Sequence, residues 1–146
     1  MKIAEKEILD ILEKTTKKVD EIQGNQLSFW EKQASYQTSY LKTWFAPQSL
    51  EELTRYRTLI ESQDYLYKDL LKIILSRSAR SARLTTHFDL DFPKKPQTEP
   101  YWCYKHYRQC MPTQDALKFI KRYSIDTLKR IKEFSQRFRI EIPKGA

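Results

Sequence analysis

The sequence predicts a mainly α-helical domain of about four helices, with one long proline-rich loop inserted before the last helix. Apolar residues recur at helical spacing within residues 3–22, 49–83 and 113–139. Four of the six prolines fall between residues 84 and 112, where they exclude a long helix. With 146 residues, 40% of them hydrophobic, the chain is long enough to bury one modest core. We therefore expect a single domain over residues 1–146.

The first element is an amphipathic helix within residues 1–25. Its apolar stripe consists of Ile8, Leu12, Val19 and Ile22. The Gly24-Asn25 pair predicts the end of this helix, because glycine and asparagine are favoured just past a helix C-terminus. Residues 26–48 are polar and aromatic, and predict an irregular or partly helical connector.

Two helices are predicted over residues 49–83. Glu52 follows Ser49 by three positions, the spacing of a capping box, and Pro47 stands just before them. The second helix of the pair is expected from about Asp64 to Arg83. The inward positions are Leu50, Leu53, Tyr56 or Arg57, and Ile60 in the first helix, and Leu66, Leu70, Ile73, Ile74 and Arg77 in the second.

The last helix is predicted over residues 113–139, after the loop insertion of residues 84–112. Thr113 is the expected N-cap, and Asp115 is favourable in the first turn because a carboxylate complements the helix dipole there. The expected inward positions are Ala116, Phe119, Ile120, Tyr123, Thr127, Ile131, Phe134 and Phe138.

The net charge of +8 is unevenly distributed along the chain. The segment from Lys68 to Arg139 holds 17 basic and 7 acidic residues, whereas the remainder holds 10 basic and 12 acidic residues. Such asymmetry favours a polyanionic partner, with double-stranded DNA as the first candidate. The alternative is a basic face without a partner.

The sequence contains no apolar run of membrane-spanning length and opens with no charged-then-apolar leader. Its two cysteines, Cys103 and Cys110, do not form the disulfide framework of a secreted protein. We therefore expect a cytoplasmic protein.

A cluster of arginines at the end of the second predicted helix is the strongest candidate for DNA contact. Arg77, Arg80 and Arg83 are three residues apart, and no acidic residue lies between Lys72 and Phe88. Small serine and alanine neighbours would let a phosphate backbone approach closely. The other predicted DNA-binding residues are Lys94, Lys95, Lys105, Arg108, Lys121 and Arg122. The aromatic residues Tyr101, Trp102, Tyr104 and Tyr107 alternate with these cations, and could stack on bases or close the loop onto the helices.

A second candidate site is a metal centre in the loop. Cys103, His106 and Cys110 have zinc-ligand chemistry at close spacing, and His87 could supply the fourth ligand, as could Asp89 or Asp91. The strongest zinc signatures have two ligand pairs, whereas this sequence has the single cluster of Cys103, His106 and Cys110. The prediction that we favour is that both cysteines pack as small hydrophobic residues. The loop would then be ordered by burial of Phe88, Leu90, Phe92, Tyr101 and Trp102.

No catalytic residue is predicted. His87 and the neighbouring aspartate could form a general-base pair, but no nucleophile pattern accompanies them. The only glycines are Gly24 and Gly145, so a phosphate-cradling glycine loop is absent from the sequence.

Three blocks of the sequence resemble a segment of site-specific DNA methyltransferases that modify amino groups of adenine or cytosine. These blocks are SRSARSARLTTHFDLDFPKKP, EPYWCYKHYRQC and ALKFIKRYSIDTLKRIKEF. The upstream WFAPQSLEELTRYRTLI also fits, so the resemblance covers roughly residues 44 to 134. It implies a helical insertion that recognises target DNA, between the cofactor-binding and catalytic halves of a restriction–modification enzyme.

The family's aromatic-x-Gly-x-Gly cofactor loop and its Pro-Pro-Tyr or Pro-Pro-Trp catalytic motif do not occur in these 146 residues. The resemblance therefore implies a DNA-recognition fragment or a separate subunit, with S-adenosylmethionine bound by the parent or partner enzyme. The alternative is a protein-interaction module whose basic face docks on an acidic surface of a catalytic partner.

Overall fold

The computed structural model describes residues 2–17, 38–88 and 93–139. Within these ranges the chain forms five helices and one two-stranded antiparallel sheet, so the predicted mainly α fold class is confirmed. The elements in chain order are α1 (Lys2–Thr16), α2 (Thr38–Trp44), α3 (Pro47–Ser62), α4 (Lys68–Ala82), β1 (Tyr101–Cys103), β2 (Arg108–Cys110) and α5 (Leu117–Arg139).

The core lies between α1, α3, α4 and α5. Helix α5 packs on α4 and α1, and α3 packs on α4 and α1. The side chains that are completely removed from solvent include Ile8, Ile11, Tyr56, Leu71, Ile74 and Ile120. Burial of these apolar side chains from all four helices is the main stabilising contribution to this part of the molecule.

Helix α1 is amphipathic, and the predicted stripe residue Ile8 is buried while Leu12 packs against the core from a partly buried position. Ala4, Ile11 and Thr15, which the prediction omitted, are also buried. The predicted stripe residues Val19 and Ile22 and the predicted end at Gly24-Asn25 lie outside the described residues, as does most of the predicted connector.

The predicted capping box of α3 is wrong. Ala46 is the N-cap, with no side-chain hydrogen bond, and Pro47 occupies the first turn. The buried Ser49 hydroxyl has no hydrogen-bond partner among the described residues. Glu52 instead reaches across to the start of α5, where the Ala116 N–H donates to Glu52 Oε1 at 2.8 Å and the Leu117 N–H at 3.2 Å.

The predicted Thr113 cap of α5 is also wrong, because the helix begins at Leu117 and Glu52 accepts its first amides. This carboxylate belongs to another helix, so no local sequence pattern around residue 113 could reveal it. A negatively charged acceptor also suits the positive end of the α5 dipole.

The predicted inner stripe of α4 is confirmed at Ile74, which is fully buried, and at Leu70, which packs against the core, but it is wrong at Leu66 and Ile73. Leu66 and Ile73 are 75% and 54% exposed, whereas Ser78 and Ala82 are fully buried beside Ile74. Leu66 precedes the first turn of the helix, which begins at Lys68 rather than Asp64. Ser78 and Ala82 place small side chains on the inner face of α4, and the Ser78 hydroxyl donates to the Ile74 carbonyl at 2.7 Å.

Helix α5 buries a narrower face than expected. Ala116, Ile120, Thr127 and Ile131 are buried as predicted, and Ser124, which the prediction omitted, is fully buried. The aromatic residues Phe119 and Tyr123 are partly buried, whereas Phe134 is 51% exposed, contrary to the prediction. The Phe138 side chain lies outside the described residues.

The proline-rich segment contains a short β-hairpin. Strands β1 and β2 pair Tyr101 with Cys110, Trp102 with Gln109 and Cys103 with Arg108. The segment is anchored to the helices by backbone hydrogen bonds, since the Leu84 N–H donates to the Trp44 carbonyl at 2.7 Å and the Gln97 N–H to the Leu84 carbonyl at 2.8 Å.

Of the helices in the described ranges, none is both long enough and apolar enough to traverse a bilayer.

Candidate metal centre and basic groove

The β-hairpin places its two cysteines on one face. Cys103 is paired with Arg108, two residues before Cys110, so both cysteine side chains project from the same side of the ribbon. Both are buried, with relative exposures of 0% and 4%, and both are free thiols.

His106 lies in the connection between the two strands. The Tyr107 N–H donates to the Cys103 carbonyl at 2.8 Å, and Tyr107 adopts a left-handed conformation with φ of 52°. This tight turn brings the His106 ring back over the cysteines. His106 Nδ1 lies 3.3 Å from Cys103 Sγ and 3.8 Å from Cys110 Sγ.

His87 reaches the same point from the segment that follows α4. Its backbone N–H donates to the Tyr101 hydroxyl at 3.0 Å, which ties this segment to β1. His87 Nδ1 lies 3.6 Å from Cys103 Sγ, and the two imidazole rings meet edge to face with centroids 4.7 Å apart. One ligand atom from each of His87, Cys103, His106 and Cys110 lies within 4.8 Å of the other three.

The electrostatic surroundings favour a neutral His87 ring. Desolvation by burial, together with the nearby His106, Lys105, Arg108 and Lys118, lowers the pKa of His87 below its ordinary value. Two thiols and two imidazoles within coordination distance form a donor set that soft and borderline metal ions prefer.

Aromatic burial does not order this segment in the way that the sequence suggested. Phe88 and Trp102 are 50% and 48% exposed, so the expectation that they are buried is wrong. Leu90 and Phe92 lie outside the described residues, as do the alternative ligands Asp89 and Asp91. The cysteines are buried as expected, but they face imidazole nitrogens.

A groove of about 700 Å³ lies between the hairpin, the end of α4 and the first turns of α5. Its lining residues are Ser81, Thr85, His87, Lys105, His106, Arg108, Gln109, Cys110, Met111, Thr113, Lys118, Phe119, Arg122 and Tyr123. Four of these residues are Lys or Arg, and none is Asp or Glu. The charged side chains that line this concave surface are therefore all positive.

The groove brings together three of the nine predicted DNA-binding residues, namely Lys105, Arg108 and Arg122. Lys118 completes the set, and the sequence prediction missed it. Its position four residues before Arg122 was the available signal, since residues four apart share a helix face.

The remaining predicted cations are not among the residues that line the groove. Lys94, Lys95 and Lys121 are exposed, Arg80 is exposed at the end of α4, and Arg83 is half-buried. The Arg83 Nε–H donates to the Arg80 carbonyl at 3.2 Å.

Arg77 has a structural role between α4 and α5. Its Nη1 donates to Asp126 Oδ2 at 3.0 Å, and its guanidinium group lies 4.3 Å from the centroid of the Tyr123 ring. The hydrogen bond from Arg77 and the charges of Arg130 and Arg77 hold the pKa of Asp126 below its usual value. The sequence could not show this pairing, because Asp126 lies 49 residues away.

The chain is 45% identical over 98 residues to the type II methyltransferase M.MjaII of Methanocaldococcus jannaschii. The matched region covers 66% of this chain and 18% of that protein. No protein-family model matches the chain, and no solved structure matches it. The similarity confirms the resemblance to a methyltransferase segment that the three sequence blocks indicated. Over 66% of its length, this chain is therefore related to a segment of a type II methyltransferase.

Proposed function

We propose that this chain is a DNA-contacting segment of a site-specific DNA methyltransferase of a restriction–modification system. The observation that carries the proposal is the groove, whose lining includes Lys105, Arg108, Lys118 and Arg122 and no carboxylate. A DNA duplex presents a dense row of phosphates. When Lys and Arg side chains neutralise these phosphates, condensed counterions are released, and this release favours binding.

Two structural elements supply these cations. Lys105 and Arg108 come from the hairpin, and Lys118 and Arg122 come from one face of α5. The α5 pair is held beside an aromatic ring, since the Lys118 ammonium and the Arg122 guanidinium lie 5.2 and 5.3 Å from the centroid of Phe119. Packing against this ring limits the conformations of both side chains, which lowers the entropy lost when they bind a phosphate.

Exposed aromatic side chains surround the hairpin cations. Tyr104 and Tyr107 are 68% and 81% exposed, and Trp102 is 48% exposed. Aromatic faces next to cations suit contact with bases, because they stack on a base while the cation holds the phosphate. Arg80, Arg83, Lys94, Lys95 and Lys121 would extend the interface around the groove.

Methyl transfer itself would be carried out by other parts of the enzyme. The sequence holds neither the glycine-containing cofactor loop nor the Pro-Pro-aromatic motif of the family. S-adenosylmethionine and the catalytic residues would therefore belong to a catalytic domain or subunit that this segment accompanies.

Fluorescence anisotropy with a labelled duplex at several salt concentrations tests this proposal. Lys118→Ala/Arg122→Ala should weaken binding and lower the slope of log affinity against log salt by about one for each phosphate that is no longer neutralised. The charge-matched control is Lys129→Ala/Lys132→Ala, which removes two exposed cations from the same helix outside the groove lining.

Equal affinity of the folded groove variant and the unmodified chain would contradict the proposal. Equal reductions of affinity in both double variants would show that total charge, rather than the groove, determines binding. Selection from a random-sequence duplex library then separates a DNA reader from a module that docks on an acidic protein surface, since the reader enriches particular sequences and the docking module does not.

A further inference from the structure

We propose that His87, Cys103, His106 and Cys110 bind a structural zinc ion that fastens the β-hairpin to the segment that follows α4. This inference does not depend on the proposed function, because it rests on the positions of four donor atoms. Two thiolates and two imidazoles form a donor set that structural zinc sites use.

The distances fit a tetrahedral ion. Zinc bonds of about 2.3 Å to sulfur and about 2.0–2.1 Å to nitrogen, set at tetrahedral angles, place a sulfur and a nitrogen ligand about 3.6 Å apart. Three of the four sulfur–nitrogen separations are 3.3, 3.6 and 3.8 Å, and all four ligand atoms lie within 4.8 Å of one another. Cys103 Sγ takes part in two of these three separations and His106 Nδ1 in two, so these two atoms link all four ligands into one cluster.

The architecture of the hairpin also calls for an additional constraint. Each strand has three residues, and two-stranded hairpins of this kind are at most marginally stable alone. The exposed Trp102, Tyr104 and Tyr107 contribute little apolar burial to it. An ion held by three hairpin residues and by His87, which lies 16 residues before Cys103, would close the loop and fix its path.

The site has the closed form of a structural centre. Four protein ligands complete the preferred coordination of zinc and leave no position for a substrate or a reactive water. The same hairpin carries Lys105 and Arg108, so the ion would also fix these groove cations relative to the segment that follows α4.

Elemental analysis of the full chain, purified without chelators, is the first test. We expect one zinc ion per chain, and no bound zinc in His87→Ala or in Cys110→Ser. The matched control is Gln109→Ser, which alters the exposed neighbour of Cys110 on the same strand and should retain the metal. Removing zinc with a chelator should abolish the hydrogen-exchange protection of the Tyr107 amide while the helical circular dichroism remains.

Cobalt(II) substitution of the unmodified chain covers the case in which the ligand variants fail to fold. Tetrahedral coordination by two thiolates would give strong visible ligand-field bands and sulfur-to-cobalt charge-transfer absorption. A folded chain that takes up neither zinc nor cobalt would overturn the proposal. So would a disulfide between Cys103 and Cys110 found by mass spectrometry, or zinc that persists in the Cys110→Ser variant.

Discussion

The helical core and the β-hairpin are ordered by different interactions. Ile8, Ile74 and Ile120 are fully buried between four helices, and their contribution scales with the apolar area removed from water. In the hairpin, Tyr104 and Tyr107 are mostly exposed, whereas the buried positions are the two cysteines that face histidine nitrogens. Apolar burial therefore holds the helices together, whereas the buried side chains of the two hairpin strands are thiols beside imidazole nitrogens.

This difference places the apolar core and the candidate metal ligands in separate parts of the chain. The hairpin also carries the groove cations Lys105 and Arg108 and the exposed rings of Tyr104 and Tyr107. Variants of the helical core should therefore change the global free energy of unfolding, whereas changes at the histidine and cysteine cluster should act first on the hairpin.

The largest effect on global stability is expected from Ile120→Ala. This side chain is fully buried on α5, and its truncation should lower the free energy of unfolding by about 2–5 kcal/mol. Urea denaturation followed by circular dichroism measures the change. The control is Ile125→Ala on the same helix, which is 54% exposed and should change stability by roughly 0.5 kcal/mol or less. Similar destabilisation in both variants would show that burial on α5 is not what holds the core.

A smaller effect is expected from Glu52→Ala. Its carboxylate accepts the Ala116 and Leu117 N–H groups, so truncation leaves a buried donor without a partner and should cost about 1–3 kcal/mol. The stability of Glu52→Gln should lie between that of Glu52→Ala and that of the unmodified chain, because the amide oxygen still accepts a hydrogen bond but carries no charge. Glu51→Ala is the matched control, since the neighbouring carboxylate is 68% exposed and pairs with Arg55 on the surface. Chemical denaturation of the three variants ranks their free energies of unfolding. If Glu51→Ala destabilises the chain as much as Glu52→Ala, Glu52 does not stabilise the start of α5 in this way.

The smallest effect concerns the acid sensitivity of the helical core. The Tyr65 hydroxyl donates to Asp10 Oδ2 at 2.7 Å, and this bond, with help from Lys14, holds the pKa of Asp10 below its usual value. Because the folded pKa is depressed, the stabilisation is present above the pKa of the unfolded chain and is lost as pH falls through the folded value. Tyr65→Phe should therefore destabilise the chain at neutral pH, and the gap from the unmodified chain should narrow in acid.

Thermal unfolding between neutral pH and acid measures this dependence. Tyr67→Phe is the control, since it removes a nearby hydroxyl from a ring that is 37% exposed. A constant gap between the Tyr65→Phe variant and the unmodified chain across the pH range would show that Asp10 does not contribute through this bond.

The sequence predicted the helices well where local information was sufficient. The stripe through Ile8 on α1 and the stripe of Ala116, Ile120, Thr127 and Ile131 on α5 were visible as apolar periodicity, which depends on residues three and four apart. The stripe of α4 was misread because Ser78 and Ala82, rather than Leu66 and Ile73, face the core. Small residues carry little hydrophobic signal, and their burial is decided by how the neighbouring helices pack on α4.

The helix caps illustrate the same limit. Ser49 and Glu52 have the spacing of a capping box, yet Glu52 caps another helix 64 residues further along the chain. A carboxylate can satisfy any pair of amides that the tertiary structure brings within reach, so local spacing does not determine which pair it is.

By itself, the sequence determined the helical class, the basic second half of the chain, the cluster of Cys103, His106 and Cys110, and the resemblance to a methyltransferase segment. These properties are encoded in composition, periodicity and short blocks of residues. Only the tertiary structure decided that Arg77 pairs with Asp126, that Lys118 joins Lys105, Arg108 and Arg122 at one groove, and that His87 meets the hairpin ligands. The physical reason is that each of these arrangements joins residues from separate elements, and their distances are set by how the helices and the hairpin pack together.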